Sequence, residues 1–219
     1  MQNNKEMCLK LTNLKIKELH YQNSLGTDLT IGLSKRAIWC GGSSIINGRE
    51  PIVNIPTEEV FTTPDKTKTN GVVYTSLPLI HAGVKIENIK LEFKDGKVIN
   101  YDATTGKEEL KNIIDTDDES NMLGECALVD KNSKIALSNI LFYETLFDEN
   151  ASCHIALGRG FKECLEKGND LLDKELEEEG YNKSKNHVDI MIGTKDLNIT
   201  AKTYNNQEIT IFKDGSFNI

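Results

Sequence analysis

The sequence has 219 residues, of which 38% are hydrophobic and 27% are charged, a composition that supports a buried core and excludes disordered and collagen-like chains. Its formal net charge of -8 and sequence pI of about 5.1 argue against a nucleic-acid binder, because no basic excess exists to neutralise phosphates. No stretch approaches the roughly 18 unbroken apolar residues of a membrane span, and the N-terminus lacks the apolar core of a signal peptide. We therefore expect a cytoplasmic protein without a nucleic-acid or membrane partner.

The cysteines indicate neither a disulfide framework nor a thiolate zinc site. They are odd in number, widely spaced and form no CxxC pair, so we expect reduced thiols. The five are Cys8, Cys40, Cys126, Cys153 and Cys164.

The N-terminal part of the chain predicts a helix followed by strands. Apolar residues among lysines in residues 1–20 indicate a short helix that passes into a strand, and residues 26–33 alternate as a second strand. We predict that residues 36–40, which contain the only tryptophan, pair with that second strand. A glycine-rich loop follows over 41–48, and two prolines restrict residues 53–64 to an extended edge or loop beside a short strand.

The middle of the chain predicts antiparallel sheet and one helix. Short extended runs over 72–74 and 77–79 precede a hairpin in which residues 86–93 and 98–101 are joined through Asp95-Gly96. Residues 107–114 predict a helix that Thr104 or Thr105 would cap. An acidic loop then leads into an apolar run at 122–129.

The C-terminal part predicts one long helix and a strand meander. Residues 161–179 are amphipathic on an acidic background, which indicates a surface helix broken at Gly168. The expected meander consists of residues 188–192, 197–203 and 208–212, with turns at Asn205-Asn206 and Asp214-Gly215. Because no repeat or linker divides the chain, we expect a single α+β domain over 1–219, built of mostly antiparallel or mixed β-sheet with hairpins and a few flanking helices.

Residues that can bind a metal or move a proton concentrate in two places. Residues 148–154 hold acidic, amide, thiol and imidazole groups, and His187 and Asp189 lie two apart in a strand, so both side chains leave on one face. A His-x-Asp pair alone is more often a solvated strand edge, and residues 148–150 could equally be a plain helix cap. A cysteine protease is disfavoured because the adjacent Cys153 and His154 would face apart.

Two upstream segments offer further carboxylates. Glu125 lies inside an apolar run, where a carboxylate is costly to bury without a cation or a hydrogen-bond partner. Glu58 and Glu59 are adjacent and would point opposite ways, although such a pair is usually just exposed charge.

Four blocks carry a resemblance to a known family. NIPTEEVFT at 54–62, LGE at 123–125, LFDENASCHIALG at 146–158 and HVDIMIG at 187–193 resemble, in order, the signature blocks of the aminopeptidase T and aminopeptidase S family. The similarity covers nearly the whole chain from about residue 15. It implies a dinuclear metallo-aminopeptidase with two divalent metal ions, zinc or cobalt, a peptide substrate and a homodimeric assembly. The positions that match metal ligands are Glu59, Glu125, His154, His187 and Asp189.

The resemblance also implies roles in catalysis. Glu58 and Glu125 are the candidate catalytic residues, with Glu58 as the acid or base beside the ligand Glu59, although the roles of these two neighbours could be reversed. Asp148 and Glu149 are expected to hold the imidazole of His154 by a hydrogen bond.

Two features depart from the family. A tyrosine that the family has seven residues after the histidine is Phe161 here, and Tyr181 is a possible replacement phenol. Family members are about twice as long and carry an N-terminal α/β domain, so residues 1–219 would correspond to the C-terminal catalytic domain alone. Three functions therefore stay open: an aminopeptidase, a metal-binding but inactive homologue, and a structural dimerisation module.

Overall fold

The computed structural model describes residues 2–42 and 55–219, so the predicted loop at 41–48 and the start of the 53–64 segment lie largely outside the described residues. Within this part of the chain the first helix precedes the first strand, and the other helices are short and lie between strands. The α-helices are α1 (Gln2–Asn13), α2 (Lys107–Ile114), α3 (Lys134–Ser138), α4 (Thr145–Asp148) and α5 (Asp173–Glu178), and 3-10 turns occur at Glu149–Ala151, Lys162–Cys164 and Gly168–Asp170.

The strands form two antiparallel sheets and a separate hairpin. They are β1 (Ile16–Gln22), β2 (Asp28–Leu33), β3 (Val60–Thr62), β4 (Pro64–Tyr74), β5 (Leu79–His81), β6 (Val84–Ile86), β7 (Lys90–Lys94), β8 (Lys97–Asp102), β9 (Leu123–Leu128), β10 (His154–Gly158), β11 (His187–Met191), β12 (Asn198–Thr203), β13 (Glu208–Lys213) and β14 (Ser216–Phe217). The large sheet has the order β14-β13-β12-β1-β2-β4-β7-β8, the small sheet has the order β11-β10-β9-β3, and β5 pairs with β6. The predicted α+β class is confirmed.

Both sheets contribute to one apolar core. Leu19 and Leu29 of the large sheet share a buried cluster with Cys126, Ile155 and Ile190 of the small sheet. Because side chains alternate along a strand, the residues between these in the small sheet face away from the core. That second face of the small sheet carries the candidate site.

Several predicted elements are confirmed by the structure. The chain opens with α1 and passes into β1, and α2 has the predicted bounds. The predicted hairpin is β7 paired with β8, with Asp95 and Gly96 at positive φ in the turn. The predicted cap of α2 is wrong, because its N-cap is Gly106 in the left-handed conformation and makes no side-chain hydrogen bond.

The predicted pairing of residues 36–40 with β2 is also wrong. Both edges of β2 are already paired, one with β1 and the other with β4. Ala37 instead bridges Leu165, and Cys40 bridges Phe61. This segment therefore connects the region around residue 165 to β3.

The long helix predicted over 161–179 is present only as α5. Lys167 has a φ of 58° and Leu172 is extended, so no continuous helix can pass through them. Of the leucines that suggested a helical stripe, Leu165 and Leu176 bury instead in a small satellite cluster with Tyr181, and Leu172 is exposed.

The predicted C-terminal meander is wrong in its first strand. β11 belongs to the small sheet beside β10, whereas β12, β13 and β14 continue the large sheet. The turn at 205–206 joins β12 to β13, and Asp214-Gly215 joins β13 to β14, as predicted.

Candidate metal centre

The register of the small sheet sets two carboxylates on either side of one small residue. Ala156 of β10 lies opposite Glu125 of β9 and opposite Asp189 of β11. Residues directly opposed in an antiparallel pair point to the same face, so the two carboxylates flank a methyl group. No bulky side chain of β10 therefore separates the two carboxylates.

The neighbouring rows add the imidazoles. His154 lies two residues before Ala156 and is opposite Ala127, and His187 lies two residues before Asp189 and is opposite Gly158. All of these side chains share the face of Glu125. The ligating groups therefore stand around a floor of small residues, which the motif pattern did not indicate.

Glu59 immediately precedes β3, and its side chain also reaches this face. Its Oε2 lies 3.1 Å from His154 Nε2. His187 Nε2 lies 3.2 Å from Glu125 Oε2 and 3.3 Å from Asp189 Oδ1.

These contacts form two overlapping ligand groups. Glu59, Glu125 and His154 form one group, and Glu125, His187 and Asp189 form the other, with the ligand atoms of each group within 4.8 Å of one another. Glu125 belongs to both groups. The sequence candidates for metal ligands are thus brought together, and Glu58 is in neither group.

Backbone carbonyls fix the tautomers of both histidines. His154 Nδ1 lies 3.1 Å from the Ser152 carbonyl, and His187 Nδ1 lies 2.7 Å from the Arg159 carbonyl. Since a carbonyl only accepts, each Nδ1 carries a proton that it donates, and each Nε2 faces the carboxylates as a potential ligand.

The prediction that Asp148 and Glu149 accept hydrogen bonds from the His154 imidazole is therefore wrong. Asp148 instead accepts the backbone N–H groups of Phe142 and Glu144, at 2.8 and 3.2 Å. These bonds fix the loop before α4. The Ser152 carbonyl, two residues away in the chain, takes the position at Nδ1 that these carboxylates were expected to occupy.

Burial and mutual repulsion raise the pKa values of two carboxyls. Burial raises the pKa of Glu125 to about 7, with Asp189 and Glu59 adding to the rise and a hydrogen bond from His187 opposing it. Burial, and then the charges of Glu59 and Asp189, raise the pKa of Glu149 to about 8. Glu149 therefore senses the same cluster although it is in neither ligand group.

The imidazoles respond in the opposite direction. Burial alone would lower the pKa of His154, but its contact with Glu59 and the charges of Glu125 and Asp189 raise it to about 10. Burial likewise opposes a rise in His187, and Asp189 and Glu125 raise its pKa to about 11. The cluster thus holds an excess of carboxylates that favours any added cation.

The residues fit divalent metal ions. Glu59 Oε2 and Asp189 Oδ1 are buried and accept no well-directed hydrogen bond, although the imidazole Nε2 atoms lie 3.1 and 3.3 Å away as charged neighbours. Buried carboxylate oxygens without a partner are costly unless a cation completes them. Carboxylate oxygens with imidazole nitrogens are ligands that suit zinc and comparable first-row cations. Cys153 does not take part, since its thiol accepts from the Val129 N–H on the core side.

Phe161 covers one flank of the cluster. Its ring centroid lies 5.0 Å from that of His187 and 5.3 Å from that of Phe61. The Thr63 hydroxyl oxygen accepts from the Phe161 N–H at 2.7 Å and donates to the Phe161 carbonyl at 3.1 Å. The phenol of Tyr181 is committed elsewhere, because it donates to the Gly160 carbonyl at 2.9 Å.

An α+β fold with a carboxylate and imidazole cluster buried on one face of an antiparallel sheet defines a metalloprotein, and the cluster has the donors that metal-dependent hydrolases use. Residues 1–217 match the family described as thermophilic metalloprotease (M29). The chain belongs to this family.

Similar proteins agree with this placement. Aminopeptidase AmpS of Bacillus subtilis is 46% identical over 200 residues, which cover 91% of this chain and 48% of that protein. Aminopeptidase T of Thermus aquaticus is 37% identical over 206 residues, which cover 94% of this chain and 50% of that protein. The structure of wild-type AmpT from Thermus thermophilus superposes with a TM-score of 0.92 at 35% identity, over 98% of this chain and 53% of that one.

The chain therefore spans about half the length of the relatives it matches. No helix within residues 2–42 and 55–219 is both long and apolar enough to span a bilayer.

Proposed function

We propose that this chain is the catalytic unit of a dinuclear metal-dependent aminopeptidase that removes N-terminal residues from peptides. The observation that carries the proposal is the pair of overlapping ligand groups that share Glu125. A carboxylate that belongs to both groups would allow two neighbouring cations to be held. We propose two divalent ions, zinc or cobalt, held by Glu59, Glu125, His154, His187 and Asp189.

Two such cations, when bound, would polarise the scissile carbonyl and lower the pKa of a water molecule toward neutrality. The chain's own part is to orient the ligands and to accept a proton. The backbone bonds at Nδ1 hold both imidazoles in the ligating tautomer. The buried floor of the sheet keeps bulk water away from the carboxylates.

Two carboxyls are candidates for the proton acceptor. One is Glu58, which the resemblance assigns. Glu125 is also proposed as a catalytic residue on the resemblance, but it is not one of these two candidates. Glu149 is the other candidate, because it is buried and lies near enough to the cluster for the charges of Glu59 and Asp189 to raise its pKa. We expect the change to Gln at the true acceptor to lower kcat at least about a hundredfold with metal still bound, and the other change to be mild.

The named activity of the relatives suggests the substrate. AmpS and aminopeptidase T are named aminopeptidases, so a peptide with a free α-amine is the proposed substrate here. A carboxylate-rich cluster attracts that ammonium group and disfavours a blocked N-terminus. A homodimeric state and a cytoplasmic location are proposed alongside, to be checked by sedimentation and by cell fractionation.

The direct experiment is metal analysis combined with a hydrolysis assay. We expect the purified chain to bind zinc or cobalt and to release leucine from a leucine-terminated peptide, but not from its N-acetylated form. His154→Ala should lose both metal and activity. Absence of turnover with zinc, cobalt or other divalent ions would contradict the proposal.

A metal-binding but inactive homologue is the second candidate function, and Phe161 is the observation that favours it. The ring packs on His187 with no hydroxyl to donate to a developing oxyanion. Loss of one such donor costs about a hundredfold or more in rate. This candidate predicts bound metal without hydrolysis, and activity gained in Phe161→Tyr.

A further inference from the structure

Glu59 is held in a different way from the other proposed ligands. Glu125, His154 and Asp189 lie inside strands whose ladders fix their backbones. Glu59 precedes β3, whose pairing begins only at Val60. The backbone around Glu59 is held by hydrogen bonds to side-chain amides instead of by a strand ladder.

Two asparagines supply those amides from separate elements. The Glu58 N–H donates to Asn150 Oδ1 at 2.6 Å, across 92 positions of sequence. Asn4 of α1 donates through Nδ2 to the carbonyls of Thr57 and Glu59, at 3.2 and 3.1 Å. The two amides thus hold the backbone on both sides of Glu58.

Asn150 is itself fixed in one orientation. Asn150 is only 1% exposed. Its side-chain Nδ2 donates to the Leu146 carbonyl at 3.0 Å, and its backbone carbonyl accepts from Ser133 Oγ at 3.0 Å. Because Nδ2 is committed to a carbonyl, Oδ1 must face the Glu58 N–H. Asn150 also lies in the 3-10 turn that leads to His154. It therefore ties the Glu59 segment to the strand of its partner imidazole.

We infer that Asn150 is a positioning residue for Glu59, and that it preforms the ligand group of Glu59, Glu125 and His154 without acting on the group of Glu125, His187 and Asp189. The inference rests on the proposed two-metal function. Residues that orient metal ligands typically contribute about 10 to 100-fold to metal affinity. Loss of the Asn150 amide should therefore weaken one of the two metal sites by this factor and leave the other unchanged.

Calorimetric titration of the metal-stripped chain with zinc, repeated with cobalt, tests the inference. The native chain is expected to bind two ions. Asn150→Ala should bind one ion with native affinity and the other about 10 to 100-fold more weakly. Asn4→Ala removes the second amide from a partly exposed helix, with less risk to folding, and should weaken the same ion by a smaller factor.

Asn182→Ala is the matched control. Asn182 is equally buried, and its amide donates to the carbonyls of Glu119, Met122 and Leu123 and makes no contact with the Glu59 segment. It should retain both ions at native affinity. Two native-affinity ions in both Asn150→Ala and Asn4→Ala, equal weakening of both ions, or the same selective loss in Asn182→Ala would each overturn the inference. A native chain that binds no ion would instead refute the proposed function, and the inference with it.

Discussion

At the scale of single residues, protons and metal ions compete for the same atoms. His154 and His187, with pKa values of about 10 and 11, must each release a proton before Nε2 can bind a cation. Glu125, with a pKa of about 7, adds a third proton below neutrality. We therefore expect zinc affinity to rise between pH 6 and pH 9. Calorimetry in buffers of different ionisation enthalpy should show proton release, reduced in His187→Ala, and an affinity independent of pH would contradict this.

The same groups set the pH dependence of the metal-free chain. Raised imidazole pKa values stabilise the fold fully below about 6.5 and lose this effect as pH rises toward 10 or 11. Raised carboxyl pKa values, about 7 in Glu125 and 8 in Glu149 against 4.5 unfolded, also destabilise the fold as pH rises through that range. The lowered pKa of Asp189 stabilises the fold above its ordinary value of 3.8, and this stabilisation is lost only as pH falls below that value.

We therefore expect the Tm of the metal-free chain to fall between pH 6 and pH 9. Thermal unfolding in the presence of a chelator measures this directly. Glu149→Gln removes one of the raised carboxyls and should make the decline less steep. A Tm that rises over this pH interval would show that the buried carboxylates are already compensated without metal.

At the scale of elements, the end of β10 depends on a glycine. Gly158 has a φ of 98°, and a Cβ there would lie 2.3 Å from the Asn186 carbonyl oxygen, beside His187. We expect Gly158→Ala to destabilise the chain by about 3 kcal/mol through backbone strain and collision, and to weaken metal binding. Gly83 is the control, since its φ is 78° but nothing lies within 4 Å. Gly83→Ala should cost only about 1 kcal/mol in urea denaturation, and equal losses would contradict the argument.

The sequence predicts the features of this fold that neighbouring residues determine, and it fails for those that distant residues determine. Local signals sufficed for the Asp95-Gly96 hairpin and for α2, because turn chemistry and helical periodicity act over a few residues. They failed for residues 161–179, where apolar spacing resembled a helix but Lys167 and Gly168 turn the chain. They also failed for β11, because a strand's pattern does not say which sheet it joins.

The candidate site shows a similar division. The His-x-Asp spacing correctly predicted that His187 and Asp189 share a face, since strand alternation is a local property. The position of Ala156 between the two carboxylates depends on the register of the strands. The contact between Asn150 and the Glu58 N–H joins chain segments that are far apart in sequence. A single sequence carries no local signal for either.

At the scale of the whole molecule, the cluster joins four strands that come from distant parts of the chain. Its ligands lie on β9, β10 and β11 and just before β3, and the small sheet shares one core with the large sheet. Binding that selects the folded state at a hundred times Kd adds about 2.7 kcal/mol of stability. For a chain of this size that corresponds to a rise in Tm of roughly 5 to 10 °C.

We therefore expect zinc or cobalt to raise the Tm of the whole chain in one cooperative transition, and a chelator to reverse the rise. Glu125→Gln should abolish most of the shift because Glu125 belongs to both ligand groups, whereas Glu59→Gln should remove only part of it. Calorimetry of both variants with and without metal separates these outcomes. Two separate transitions, or equal effects of the two substitutions, would mean that the groups do not share Glu125 and that the cluster does not stabilise the fold as one unit.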